Sequence, residues 1–301
     1  MLAAAFYWLV NMTICGSAAG LLVLALGRIR RLPRQMVFCL WLVPLLRFLL
    51  PLGVPNPASL MQLAARFTGR VVPALGGRLT AMNALMAADG YAPLTFGRPG
   101  MQQALAVAGL VWAVGAALAI LTAGLLYRRA YRGIGDAQRI AGNLYCSRRA
   151  AAPALYGILR PRIVLPPDLD PRIRPYAILH EQAHAARRDN LWRCVAILVC
   201  CLHWFNPLCW LLLPRFWADM EFACDERVLR RLGAEEARAY ARALLGAGQA
   251  APGFAAPFGG AKLRPRLERI LTYRRLSHAA ALACMLFSLA LFVLLATNAT
   301  F

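Results

Sequence analysis

LWRCVAILVCCLHWFNPLCWLLL, residues 191–213, is long and apolar enough to cross a bilayer once, and the placement of everything after it depends on whether it does. Counted as a full span, it would put residues 214–277, with twelve basic side chains, on the side opposite to the residues before it. That breaks the rule that Lys and Arg stay on the cytoplasmic side, and it separates His180 from Glu221, whose chemistry belongs together. Both conflicts vanish if the segment dips into the bilayer and returns. Asn206-Pro207 supplies the break, because proline lacks the N–H that the helix ladder needs and its ring clashes with the preceding turn. Broken helices at membrane depth are tolerated where other protein covers them.

Upstream lies His180-Glu181-Gln182-Ala183-His184, an H-E-x-x-H pattern led in by Tyr176, Ala177, Ile178 and Leu179. Asp170 is expected to cap this helix and Pro171 or Pro175 to start it. Residues four apart share one helix face, so both imidazoles converge on a single tetrahedral metal ion while Glu181 stands beside its open position. Bound zinc brings the pKa of water to about 7, and Glu181 is the expected general base. The plainer reading is a pair of helix histidines that cap or pack, but a chance match is rare in a chain with only four histidines.

A catalytic zinc site takes three protein ligands and keeps a fourth position open. Glu221-Phe222-Ala223-Cys224-Asp225 supplies the third, with Glu221 on the metal and Asp225 accepting the outer N–H of His180 or His184 to fix its tautomer. Cys224 lies between them as either a thiolate ligand or a small packed side chain, and packing is the favoured reading.

Working outward, four more stretches match the roughly 20 helical residues that a hydrocarbon core requires: 5–27, 36–53, 104–126 and 278–298. The first precedes Arg28, Arg30, Arg31 and Arg34, which makes it an uncleaved anchor with its N-terminus outside. Residues 54–103, with four arginines, form an outside loop, and the third span ends inside at Arg128, Arg129 and Arg132. Arg47, within the second span, faces other helices or snorkels toward an interface. The expected fold is thus mainly α: a polytopic membrane protein with four transmembrane helices, a re-entrant segment 191–213 and a cytoplasmic-side zinc peptidase unit. It divides into 1–126, 127–277 and 278–301.

Composition agrees, since 60% hydrophobic residues exceed the roughly 45–50% of soluble domains. The net charge of +21 raises nucleic acid as a partner, but 25 of the 34 basic residues lie in 127–277 without aromatic interleaving. A solvated face beside anionic lipid is the better reading, and no direct nucleic-acid contact is expected. The nine cysteines are scattered, form no C-x-x-C pair and read as small apolar residues.

PALYGILRPRIVLP at 153–166, HEQAHAARRDN at 180–190, HWFNP at 203–207 and EFACDERV at 221–228 resemble the membrane peptidase domain of the BlaR/MecR antirepressor family. The resemblance implies zinc held by His180, His184 and Glu221, with Glu181 as base. It also implies a signalling protease in the plasma membrane that cleaves a BlaI/MecI-type repressor, itself, or both. Self-cleavage in such a protein falls in the loop before the last span, here AGQAAPGFAAPFGG at 247–260, which is expected to be irregular, with Phe254 and Phe258 as apolar anchors. The best-known family members add an outside penicillin-binding sensor with a Ser-x-x-Lys serine. This chain reaches Phe301 just past the last apolar stretch, and Gly259 stands three residues before its one lysine, Lys262, so direct β-lactam sensing is not expected.

The competing readings are a quality-control or processing protease like the HtpX and prenyl-protein peptidases, and a catalytically silent transducer. A homodimer is left open. Two weaker signals remain. Ile163-Val164-Leu165 is an edge strand that pairs with substrate or a connector packed on the motif helix. His203 either assists an oxyanion or hydrogen-bonds locally, the latter being favoured.

Overall fold

The computed structural model describes residues 2–29, 32–50, 99–233, 235–250, 263–273 and 278–296. The expected outside loop, apart from 99–103, and residues 251–260 of the expected cleavage segment lie outside the described residues. The chain is mainly helical, with α1 (Leu2–Gly27), α2 (Arg34–Leu40), α3 (Leu42–Leu49) and α4 (Pro99–Arg132) before a small sheet. After the sheet come α5 (Arg174–Arg187), α6 (Asp189–Leu202), α7 (Pro207–Leu232), α8 (Ala237–Ala250), α9 (Leu263–Leu271) and α10 (His278–Ala296). Helix α8 runs to Ala250, so the first four residues of the stretch expected to be irregular are helical. Their alanines and glutamine propagate a helix well, and no proline intervenes before Pro252.

Among the described residues two helices are long and apolar enough to cross a bilayer, over Trp8–Gly27 and Gln103–Arg132. Helix α4 buries little of itself. Val107, Leu110, Val111, Val114, Leu118, Leu121 and Leu125 are each more than half exposed, an apolar face that water does not stabilise and lipid does. The expected second span is instead two short helices that meet at Trp41. Pro44 explains the break, because it has no N–H to give to the carbonyl four residues earlier, that of Leu40. Arg47 is buried on α3.

Residues 191–213 do not form one helix. Helix α6 ends at Leu202, the chain turns through 203–206, and Asn206 caps α7 by accepting from the Leu208 N–H at 3.0 Å, with Pro207 in the first turn. The turn is tied to the long helices. Asn206 donates to Ser17 Oγ (2.9 Å), Trp112 Nε1 donates to Leu202 O (2.7 Å), and Trp204 Nε1 donates to Trp112 O (3.3 Å). Gly115 admits the Trp204 ring, since a Cβ there would fall 2.5 Å from it. His203 is fully buried, with Thr13 Oγ1 at 2.7 Å and Phe48 O at 2.9 Å, so local hydrogen bonding is its role. It precedes Pro207, the first residue of α7, and Glu221 lies fourteen residues or roughly 21 Å further along that helix, which rules out an oxyanion role.

The sheet was the largest feature not expected. Its strands β1 (Gln138–Ala141), β2 (Leu144–Cys146), β3 (Ala154–Tyr156) and β4 (Arg162–Leu165) lie in the order β1-β2-β4-β3. Strand β4 is parallel to β2 and antiparallel to β3, so Ile163–Leu165 is interior and cannot be the edge that receives substrate. The physical reason is burial, with Ile163, Val164 and Leu165 all at most 1% exposed, the mark of a strand covered on both faces. The edge strands are β1 and β3.

Two apolar clusters meet on α7. Met220, Ala223, Phe216 and Trp217 pack with α2, α3 and α6, and Phe216 sits 5.8 Å from the Phe38 ring and 5.9 Å from that of Trp41. Cys224, Val228 and Leu229 pack instead with Ala183 of α5, Tyr240 of α8 and Ile270 of α9. One helix therefore joins the membrane-type bundle to the motif helix.

Candidate metal centre

Of the two prolines expected to start the motif helix α5, Pro175 does so, and the cap is Ile173 and not Asp170. Asp170 forms a turn ahead of it, accepting from the Arg172 N–H (2.8 Å), and Pro175 occupies the first turn of the helix itself. At the other end Arg188 adopts the left-handed conformation, φ 55°, which stops α5 and lets α6 begin at once in a new direction. Asn190, at the start of α6, then donates to Leu155 O (2.9 Å) and Gly157 O (3.0 Å), so β3 and the residue after it are clamped just past the motif helix.

His180 and His184 are buried, and their Nε2 atoms are 3.1 Å apart. Glu221, brought in by α7, places Oε2 3.5 Å from His180 Nε2 and Oε1 3.6 Å from His184 Nε2. Ligand atoms about 2.0–2.1 Å from a tetrahedral ion lie about 3.3–3.4 Å from one another, so these three side chains fit one face of a zinc coordination sphere. Cys224 offers a second set, since His180, His184 and Cys224 donor atoms all lie within 4.8 Å of one another. Its Sγ, however, is on the other side of the His180 ring, 3.6 Å from Nδ1, and donates to His180 O at 3.4 Å. The two Nε2 atoms face Glu221, and the geometry favours the histidine–carboxylate set.

The outer edges of both rings are held. His180 Nδ1 is 2.8 Å from Tyr240 Oη, which itself donates to Asp225 Oδ1 at 2.7 Å. Burial and then the Asp225 charge push the Tyr240 hydroxyl well above its ordinary range, so it stays protonated. A hydroxyl that gives its proton to Asp225 must accept from His180, which protonates Nδ1 and leaves the Nε2 lone pair free for a metal. Asp225 thus acts on His180 mainly through Tyr240, its direct approach to Nδ1 being 3.5 Å. His184 Nδ1 meets Asp189 Oδ2 at 2.5 Å, and Arg187 braces that carboxylate while donating to Met220 O at 2.8 Å. Neither Asp189 nor Tyr240 was singled out from the sequence. Asp189 left a faint signal, a carboxylate one turn past the second motif histidine, and Tyr240 left none.

Arginines surround the carboxylates. Arg193 Nη2 is 2.8 Å from Glu221 Oε1, and Arg266 on α9 forks onto Asp225, with Nε to Oδ2 and Nη2 to Oδ1 both 2.8 Å. Burial would raise the Glu221 pKa, but the charges of His184 and Arg266 hold it well below the ordinary carboxylate range. Burial would lower that of His180, yet Cys224 and Glu221 bring it up to about 10. For Cys224 the order is the reverse: burial opposes ionisation, and His180 and His184 pull the thiol below its usual value. Glu181, the residue after His180, is buried, and among the described residues no hydrogen bond or ion pair holds its carboxylate. Strand β3 packs against α5, and the Glu181 charge, after burial, keeps the Tyr156 hydroxyl above its ordinary range.

Two histidines one helical turn apart, a buried carboxylate on a neighbouring helix and long lipid-type helices define, as a class, a membrane-associated metallopeptidase. The chain belongs to the BlaR1 peptidase M56 family, whose sequence profile matches residues 7–271. It is similar to the regulatory protein BlaR1 of Bacillus licheniformis, with 36% identity over 84 residues. That match covers 27% of this chain and 14% of the relative.

Proposed function

We propose that this chain is a zinc-dependent metalloendopeptidase of regulatory, antirepressor type, which hydrolyses peptide bonds in a cytoplasmic BlaI/MecI-type repressor and in its own chain. His180, His184 and Glu221 hold one zinc ion, Glu181 is the general base, and Asp225 supports His180. The observation that carries the reading is the triangle of two Nε2 atoms and the Glu221 carboxylate, with edges of 3.1, 3.5 and 3.6 Å, beside Glu181, whose carboxylate has no partner among the described residues. Zinc bound there supplies Lewis acidity toward the scissile carbonyl and makes water a nucleophile near neutral pH. The Glu181 carboxylate takes the proton from the attacking water and returns it to the leaving amine. Tyr240 and Asp189 hold the ligand tautomers, and the apolar packing of α5 against α7 limits water around the site.

The proposed topology has four membrane spans, with the N-terminus and the residues after α10 outside and 127–277 inside. It is supported by the arginines at the ends of α1 and α4, by the lipid-type face of α4, and by the helical hairpin of α6 and α7. The regulatory assignment leans on the name of the BlaR1 relative and on the HWFNP and EFACDERV segments. The test is to incubate purified wild type and Glu181→Ala with a co-encoded repressor. Cleavage by zinc-loaded wild type, abolished in the variant and by chelation, is the expected result. An intact repressor with fully zinc-loaded enzyme, or an equal cut by the variant, overturns the proposal.

A further inference from the structure

The metal site described above draws on α5, α6, α7 and α8, yet one of its buried cations comes from elsewhere. Arg266 belongs to α9, the short helix that follows the Gly/Pro-rich segment and precedes α10. Its side chain is 13% exposed and reaches three members of the site. It forks onto Asp225 through two bonds of 2.8 Å, places Nη1 3.3 Å from Glu221 Oε2, and brings Nη2 to 3.4 Å from His180 Nε2.

We propose that Arg266 is a positioning residue of the metal site, and that α9 is thereby a working part of that site and not a linker to the last helix. This rests on the histidine–carboxylate site proposed above. The argument runs through the acceptor atoms of Asp225. Arg266 occupies Oδ2 and one side of Oδ1, which turns the remaining lone pair of Oδ1 toward the Tyr240 hydroxyl at 2.7 Å. Tyr240 can then accept from His180 Nδ1, and the Nε2 lone pair points at the metal position. Without the fork, Asp225 is free to rotate, Tyr240 loses its fixed acceptor, and His180 loses its enforced tautomer. The same guanidinium lies between two carboxylates on successive turns of α7, and its removal leaves both buried without their shared counter-charge.

Docking of α9 does not depend on Arg266 alone. Ile270 is 1% exposed within the cluster of Cys224, Val228 and Tyr240, and Arg269 stacks 4.5 Å over the Phe222 ring. This separation gives the experiment its control.

The test is zinc affinity of the full-length protein in detergent, by competition with a chromophoric chelator, for wild type, Arg266→Gln, Arg266→Lys and Arg269→Gln. Arg266→Gln should bind zinc roughly 10–100-fold more weakly, the usual cost of removing an outer-shell partner. Arg266→Lys keeps the charge and cannot fork, so it should still lose at least about threefold even if the glutamine variant fails to fold. Arg269→Gln should stay within about twofold of wild type. Cobalt absorption of loaded Arg266→Gln should show the wild-type ligand set, reached at higher cobalt. Unchanged affinity in Arg266→Gln or Arg266→Lys overturns the proposal, as does tighter binding, which would make the guanidinium a competitor of the metal. An equal loss in Arg269→Gln also overturns it, in favour of helix docking alone. Wild type that binds no zinc, or binds it as well after His184→Ala, sinks the metal site itself and is thereby distinguished from failure of the Arg266 role.

Discussion

Replacing Tyr240 by Phe removes one oxygen from a residue that is 1% exposed and leaves the ring packing in place. The oxygen makes two bonds, 2.8 Å to His180 Nδ1 and 2.7 Å to Asp225 Oδ1. Asp225 keeps both of its Arg266 bonds, so no buried charge is stranded, and the cost of about 3–5 kcal/mol for breaking a buried ion pair does not apply. What remains is the His180 N–H, left 3.5 Å from Asp225 Oδ1, too far for a hydrogen bond without movement, and 3.6 Å from Cys224 Sγ, a weak acceptor. An unsatisfied buried donor costs about 1–3 kcal/mol, and partial closure of that gap favours the lower half of the range. Because the donor's orientation is what presents Nε2 to the metal, the loss should fall on metal affinity, at roughly tenfold per 1.4 kcal/mol. Tyr240→Phe should therefore bind zinc about 10-fold more weakly while its unfolding transition shifts by only a few degrees. Chelator competition reads the first and circular dichroism the second. An affinity within twofold of wild type would refute the claim that the hydroxyl sets the His180 tautomer.

Metal content should fall to near zero in His184→Ala and Glu221→Ala and stay at one equivalent in Cys224→Ala. Zinc retained in Glu221→Ala but lost in Cys224→Ala would assign the site to the His-His-Cys set. In chelator-treated protein, His180 has a folded-state pKa raised from 6.5 to about 10, so its ionic contribution is complete below about 6.5 and is lost as pH rises toward 10. Melting temperature should fall over that window, and a flat profile counts against the assignment. Self-cleavage, if it occurs as proposed, cuts between residues 250 and 260. Mass spectrometry of zinc-loaded protein should find that cut and its loss in Glu181→Ala, whereas persistence points to a contaminating protease. Leu159, 87% exposed near the sheet, is a topology probe. A Leu159→Cys variant in a cysteine-free background should resist an impermeant maleimide in intact cells and react after permeabilisation, and labelling of intact cells would reverse the proposed orientation.

What the residues alone made legible is local. H-E-x-x-H works through the four-residue repeat of a helix, so its two histidines meet whatever the rest of the fold does, and their Nε2 atoms do lie 3.1 Å apart. Asn206-Pro207 breaks a helix because of proline's own ring and missing donor, and the turn at 203–206 falls there. Pro44 acts in the same way within the second apolar stretch, which divides into two short helices at Trp41. The candidate site was legible as far as Glu221 because a carboxylate pair four apart repeats the helical logic on a second element.

The rest belongs to tertiary structure, because it depends on which elements come into contact and not on spacing. Ile163–Leu165 reads as a strand from its β-branched run, but only its pairing with both β2 and β3 makes it interior and leaves β3 at the edge. Tyr240 and Arg266 come to His180 from helices 60 and 86 residues further along the chain, and Asp189, five residues past His184, meets it only because the chain turns at Arg188. No periodicity links them. The sequence by itself determined the motif helix, because a pair of histidines on one helical face is encoded by near neighbours. Only the folded chain decided which protons and charges hold those ligands in place, because hydrogen bonds between elements form where apolar packing brings distant segments together.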